Sequence, residues 1–186
     1  QACQQLGLPC QPTQADLEAL ERMTFADYGR QLGVPEPSLE AFVRLCLERF
    51  AARSQPAEIF PGLAEVVHQL AQAYPLAIVT GNTAAAVQAF LERHGLAQAF
   101  QVLVDVHQPG ERYEKIGRAA EALGVPVEET LVVGDAVSDI RAAAQAGAKS
   151  AAAGWGHQSP EKLQQAGPDY LVLKPTELMR LLETGW

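Results

Sequence analysis

Residues 131–147, LVVGDAVSDIRAAAQAG, narrow the choice of fold more than any other stretch of this chain. Leu131, Val132 and Val133 are too few and too β-branched for a helix and read as a buried strand. Gly134 lets the backbone turn closely as that strand ends. Asp135 then stands at the strand's carboxyl end, where open α/β sheets place their ligands. Asp139 falls in the first turn of the Ala-rich helix behind it, pointing back to the same crevice. Two carboxylates gathered at a strand end suit a hard cation such as Mg2+. The same pair also suits simple helix capping, because acidic side chains are favourable at a helix N-terminus without any metal.

The pattern continues through the last two thirds of the chain. From Phe60-Pro61-Gly62 onward, short apolar runs alternate with amphipathic stretches. Strands are expected at 76–80, 102–104, 131–134, 150–153 and 170–173. Helices are expected between them: one carrying Leu63, Val66, Val67 and Leu70 on a single face, one from the Thr83 cap to Arg93, and one over 113–123. Gly95, Gly124 and Gly147 close helices, and Ser159-Pro160-Glu161 opens another with Ser as cap and Pro first. Thr176 caps a terminal helix. This order predicts an α/β fold, a Rossmann-like three-layer core with a mostly parallel sheet and helices on both faces.

Residues 1–58 have a different texture, with no strand signal. Thr13 can cap a short helix running to about Met23. Ser38 can cap a longer one with Leu39, Phe42, Val43, Cys46, Leu47 and Phe50 on an apolar stripe. The expected organisation is therefore a small helical cap over 1–58 and an α/β core over 59–186.

Composition removes several kinds of partner. The formal net charge of −8, with basic residues scattered, argues against nucleic acid and anionic membrane surfaces. No apolar run reaches membrane-spanning length. Cys3, Cys10 and Cys46, odd in number and without CxxC spacing, point to reduced thiols in a cytoplasmic protein rather than to zinc. Cys46 fits the core of its helix.

Two further segments carry chemistry. In Ile78-Val79-Thr80-Gly81-Asn82-Thr83 a strand ends in a hydroxyl before a capped helix. The Thr80 hydroxyl and the Gly81 and Asn82 amides can hold an anion there, and an ordinary strand-to-helix turn reads the same way. In Pro109-Gly110-Glu111-Arg112-Tyr113-Glu114-Lys115 a turn delivers cations to a helix start, which the macrodipole disfavours. Arg112 or Lys115 there is either held by something anionic or simply solvated. His68 and His94 read as surface or packing residues, and Trp155 and His157, near the expected site mouth, either support the loop or meet substrate. His107, beside the basic loop, is a weaker candidate for touching substrate.

Taken in order, these motifs resemble the haloacid dehalogenase-like superfamily, most closely its phosphoglycolate-phosphatase-like members. The likeness extends to Phe60-Pro61-Gly62 and to the closing run from Gly154 through Pro168-Asp169-Tyr170. It implies a Mg2+-dependent phosphatase acting on a small phosphate monoester through an aspartyl-phosphate, with the helical cap as a lid. Thr80, Gly81 and Asn82 would bind the phosphoryl oxygens. Arg112, or else Lys115, would balance charge, although the usual Lys-Pro is absent. Asp135 would ligate Mg2+, and Asp139 would ligate it or orient its waters.

The resemblance also implies a nucleophilic Asp on a first core strand, in an Asp-x-Asp-Gly-Thr-like motif that residues 1–186 do not contain. Asp16 and Asp27 lack an apolar strand before them and are not taken for it. That strand would lie between those at 76–80 and 131–134. Without it, buried backbone groups on their facing edges would go unpaired at about 1–3 kcal/mol each. The expectation is therefore that an N-terminal segment precedes Gln1 in the native protein. The competing reading is a degenerate, non-catalytic relative that binds a phosphorylated ligand or a protein. A receiver domain fits less well: its order of acidic cluster, Asp, Thr and Lys does not match, and it has no helical lid. A metal-free dehalogenase would leave Asp135 and Asp139 without a cation to serve.

Overall fold

In a computed structural model the chain divides into two compact units, Gln1–Pro56 and Ala57–Trp186. Residues 2–13, 16, 19–20, 24–51 and 57–183 are described. The division falls slightly before residue 58 because Ala57 already belongs to the second unit, where its carbonyl meets His94 Nε2 at 3.3 Å.

The first unit is helical, with α1 (Ala2–Gln5), α2 (Phe25–Gln31) and α3 (Glu36–Ala51). Its core is Ala2, Cys3, Val34, Leu39 and Phe42, with Cys10 and Cys46 packed against it. Most of the helix expected over 13–23 lies outside the described residues. The longer helix begins at Glu36, two residues before the expected Ser38 cap, because Pro37 in a first turn has no N–H to leave unpaired. Leu47, expected on the apolar stripe, is 53% exposed. Cys3 and Cys10 form a disulfide across a Cα separation of 5.8 Å. Gly7, at φ +65°, turns the chain after α1, and the Leu8 N–H bonds the Cys3 carbonyl at 2.9 Å, which returns Cys10 to Cys3. This overturns the expectation of reduced thiols for that pair, and with it the argument drawn from them for a cytoplasmic location. Cys46 is free.

The second unit alternates strand and helix as expected. Its elements are α4 (Leu63–Ala73), β1 (Ala77–Val79), α5 (Ala84–Arg93), β2 (Val102–Val104), α6 (Arg112–Leu123), β3 (Leu131–Gly134), α7 (Val137–Ala146), β4 (Lys149–Ala153), α8 (Pro160–Gln165), β5 (Tyr170–Val172) and α9 (Glu177–Glu183). Every strand pairing is parallel. Residues alternate between faces, as strand geometry requires. Val79 and Val132 meet Ile116 of α6 and Ala142 and Ala143 of α7. Ile78 meets α4 and α5, while Leu131 and Ala151 meet α4 and α9. The result is a three-layer α/β core.

The sheet is interrupted. β1 pairs with β2, β3 with β4 and β4 with β5, but β1 and β3 do not pair with each other. Helix α6 packs on β1, β2 and α7, so β1 and β3 are the inner strands of the two halves. Among the described residues nothing completes their inner ladders. Val133, on β3, is consequently 44% exposed in an otherwise apolar strand. No described helix is long and apolar enough to cross a membrane.

Candidate active site

Parallel strands of one sheet deliver their carboxyl ends to one side, and the ends of β1, β2 and β3 are each followed by a polar residue of the candidate site. After β1 comes Thr80. The Thr80 N–H bonds the Val104 carbonyl at 2.9 Å, and the Val106 N–H bonds the Asn82 carbonyl at 3.1 Å, so the turn is docked onto the end of β2. Thr80 Oγ1 accepts the Asn82 N–H at 3.0 Å. The Asn82 amide is thus used locally, while the Thr80 hydroxyl keeps its proton to donate. The Gly81 N–H has no partner among the described residues. Thr83 caps α5, accepting from the Ala86 N–H.

Asp135 follows β3. Its carboxylate accepts the His157 N–H at 2.9 Å, and its carbonyl accepts the Gln158 N–H at 3.2 Å. Buried Gln158 returns its side-chain oxygen to the Val137 N–H at 2.7 Å, which fixes the first turn of α7. Asp139, in that turn, accepts the Ala136 N–H at 3.2 Å. It therefore does cap its helix, and it also does more. Its other oxygen pairs with Arg112 of α6. Burial pushes the Asp139 carboxyl above its usual range; the Arg112 guanidinium opposes this, and neighbouring Asp135 adds to it. Arg112, the cation disfavoured at a helix start, is thus held by an anion 27 residues away in sequence.

Lys115, one turn further along α6, bonds a neutral group, the Asp105 carbonyl at 2.9 Å. Asp105 ends β2 and was not among the sequence candidates, although Val102-Leu103-Val104-Asp105 repeats the form of Leu131-Val132-Val133-Gly134-Asp135. Its carboxylate accepts N–H groups from Ala84 and His107, both at 3.0 Å.

One chain of contacts links the candidates Thr80, Arg112, Lys115, Asp135 and Asp139: it runs from the Thr80 turn through Asp105 to Lys115, and α6 carries it on to Arg112 and Asp139, with Asp135 beside Asp139. Among the candidates outside this cluster, His94 rests against Phe90 at 4.5 Å between ring centroids, and His68 is exposed. Trp155 packs against the core cluster that α4 and α9 share.

The donor set suits a hard cation. Asp135 and Asp139 offer carboxylate oxygens, and Mg2+ takes one or two carboxylates and completes its shell with water and substrate oxygens. No group of three or more His, Cys, Asp or Glu residues able to hold a metal occurs among the described residues. The pair by itself matches that minimal protein contribution.

The sequence model of haloacid dehalogenase-like hydrolases matches residues 1–153. The chain belongs to this family. Its sequence likeness runs to the phosphoglycolate-phosphatase-like branch of the haloacid dehalogenase-like hydrolases. It is 32% identical over 128 residues to a phosphoglycolate phosphatase of Synechococcus elongatus, covering 66% of this chain and 58% of that one. It is 30% identical over 174 residues to the pyrophosphatase PpaX of Halalkalibacterium halodurans, covering 83% and 81%. Among solved structures, a haloacid dehalogenase-like family hydrolase from Streptococcus pneumoniae superposes with a TM-score of 0.85 at 20% identity, over 97% of this chain and 86% of that one. A putative haloacid dehalogenase-like hydrolase from Bacteroides fragilis gives 0.81 at 20% identity, over 95% and 87%.

Proposed function

We propose that this family member is a phosphatase of small phosphate monoesters and that its α/β unit supplies the phosphate and Mg2+ half of the site. The observation that supports this is the run of contacts linking the Thr80 turn, Lys115 and the Asp135–Asp139 pair near the strand ends. The name of the Synechococcus relative, a phosphoglycolate phosphatase, supports the monoester class, and that of the Halalkalibacterium relative, a pyrophosphatase, supports phosphate hydrolysis more broadly.

The Thr80 hydroxyl and the Gly81 amide would bind phosphoryl oxygens. The partners of the two cations divide their work. Lys115, bonded to a neutral carbonyl, would balance the phosphate charge. Arg112 would hold Asp139 in place. Asp135 would ligate Mg2+, and Asp139 would share the ion or orient its waters. When bound, Mg2+ neutralises charge on the transferring group. The nucleophile in this reading is an Asp carboxylate on a strand seated between β1 and β3. It attacks phosphorus while a second Asp of that strand's motif protonates the departing oxygen, so the alcohol leaves; the resulting aspartyl-phosphate is then hydrolysed by water that the same Asp deprotonates.

The second reading is a relative that binds a phosphorylated ligand without turning it over. The unpaired inner edges of β1 and β3 favour it for residues 1–186 taken alone. The deciding experiment assays p-nitrophenyl phosphate turnover by the protein expressed from its complete reading frame, with Mg2+ and with EDTA. Turnover that needs Mg2+ supports the phosphatase, and phosphate binding without turnover supports the second reading. Asp135→Asn should weaken Mg2+ binding, measured by calorimetry, by roughly 10–100-fold. An unchanged Mg2+ isotherm would remove Asp135 from the metal site.

A further inference from the structure

Asp105 is a carboxylate with 8% of its surface exposed, on a site where every other acidic residue already has an expected part. Its carboxylate takes the Ala84 and His107 amides, while its carbonyl takes the Lys115 ammonium. The usual explanation for an Asp against a helix N-terminus is capping. Here α5 already has its own cap in Thr83, which accepts from the Ala86 N–H. The Asp105 bond comes from a different strand, 21 residues away in sequence, so it joins α5 to β2 rather than merely finishing the helix. The two neighbours of Asp105 grip the same turn: the Val104 carbonyl takes the Thr80 N–H, and the Val106 N–H bonds the Asn82 carbonyl. Lys115 is half-buried, and no carboxylate pairs with it among the described residues. The Asp105 carboxylate is engaged by amides and the ammonium by the carbonyl, which leaves the ammonium further N–H donors for an anion.

We propose that Asp105 is a positioning residue of the phosphate site, its carboxylate fixing the first turn of α5 behind the Thr80–Asn82 turn and its carbonyl fixing the Lys115 ammonium. This rests on the reading of Thr80 and Lys115 as phosphate ligands. One residue thereby sets the spacing between the hydroxyl-and-amide arm and the ammonium arm of that site, without touching the ligand.

The test titrates the same full protein with inorganic phosphate and reads binding by calorimetry and 31P NMR. Asp105→Asn keeps the shape but sets an NH2 group against an incoming N–H donor. Ala84→Pro removes the same bond from its other end. Ala84 is the first residue of α5, where Pro is tolerated, and Thr83 before it is already extended at φ −76° and ψ 150°. Lys115→Gln and Thr80→Val test the underlying reading directly. Lys115→Gln should weaken phosphate binding about tenfold, and Asp105→Asn by a comparable factor. Ala84→Pro should weaken it in the same direction with its melting temperature little changed. Asp105→Asn combined with Ala84→Pro should bind almost as well as Ala84→Pro alone, because both act through the same Asp105–Ala84 bond.

Losses that simply multiply in the double variant would mean a general structural effect and would overturn the proposal. So would wild-type affinity in both Asp105→Asn and Ala84→Pro while Lys115→Gln and Thr80→Val bind weakly. If the wild-type chain takes up no phosphate, or Lys115→Gln and Thr80→Val bind as it does, the phosphate-site reading itself fails and takes the positioning role with it.

Discussion

Around Asp135, in the β3–β4–β5 half, the backbone leaves no room. A Cβ on Gly134 would run into the Cβ of Asp139, and one on Gly156 into the Cβ of Asp135. The His157 amide, the Gln158 amide and the Gln158 side chain then hold that loop at three points. Around Thr80, in the β1–β2 half, a Cβ on Gly81 would meet nothing within 4 Å. The Thr80–Asn82 turn is held at one remove, through the end of β2. The carboxylate half is over-determined by close packing, whereas the phosphate half is set by a few hydrogen bonds. A site built this way keeps its two carboxylates close together despite their repulsion, and leaves the phosphate side open for a ligand to complete.

Alanine at the three glycines gives the sharpest contrast between the halves. Gly134→Ala and Gly156→Ala force main-chain movement, since the obstructing atoms are Cβ carbons with no flexible stem to give way. Each should lose about 1–3 kcal/mol in urea unfolding, and Mg2+ binding should fall with it. Gly81→Ala, at an ordinary negative φ with open space, should stay within about 0.5 kcal/mol of wild type. Equal losses at all three positions would erase the distinction between the halves.

Gln158 sharpens the same comparison at a single bond. Gln158→Ala strands the buried Val137 N–H and should cost about 1–3 kcal/mol. Gln158→Glu keeps an acceptor there but adds a negative charge close to Asp135 and Asp139. It should recover part of the fold stability without matching wild-type stability. A full loss in Gln158→Glu would mean that the buried charge beside Asp135 and Asp139 outweighs the retained hydrogen bond.

How much of this could be read in advance follows the same division between local and distant bonds. Thr83, Gly95, Gly124 and Gly147 mark helix ends through contacts within a few residues, and the structure uses each there. Asp135 and Asp139 declare themselves through a strand end and a helix start. The Arg112–Asp139 pair, the Gln158–Val137 bond and the Asp105–Ala84 bond each span 21 or more residues, and no periodicity encodes which polar groups meet across a fold. Asp105 had a local signal, an apolar strand closed by an acid, that went unused because it lacks a second carboxylate behind it. The Cys3–Cys10 bridge depended on the turn at Gly7, which composition and spacing do not show. The interrupted sheet, by contrast, was foreshadowed by the absence of an apolar run ahead of residues 76–80 that could pair with both β1 and β3.

The smallest expected effect concerns acid. The Ala84 amide, and more weakly that of His107, holds the Asp105 carboxyl below the ordinary carboxylate range against the opposing effect of burial. A folded value below the unfolded one means the unfolded chain binds the proton more readily. The stability Asp105 contributes is then complete above the unfolded value, roughly pH 4, and disappears as pH falls through the folded one. Asp105→Asn cannot take part in this linkage. Its stability deficit relative to wild type, measured by urea unfolding at a series of pH values, should be constant near neutrality and shrink only below about pH 4. A deficit that stayed constant to the acid limit would mean that the Ala84 and His107 bonds are as strong to a neutral carboxyl or amide as to the anion. The phosphate half would then rest on shape, as the carboxylate half does, and the contrast between the two would be one of packing density alone.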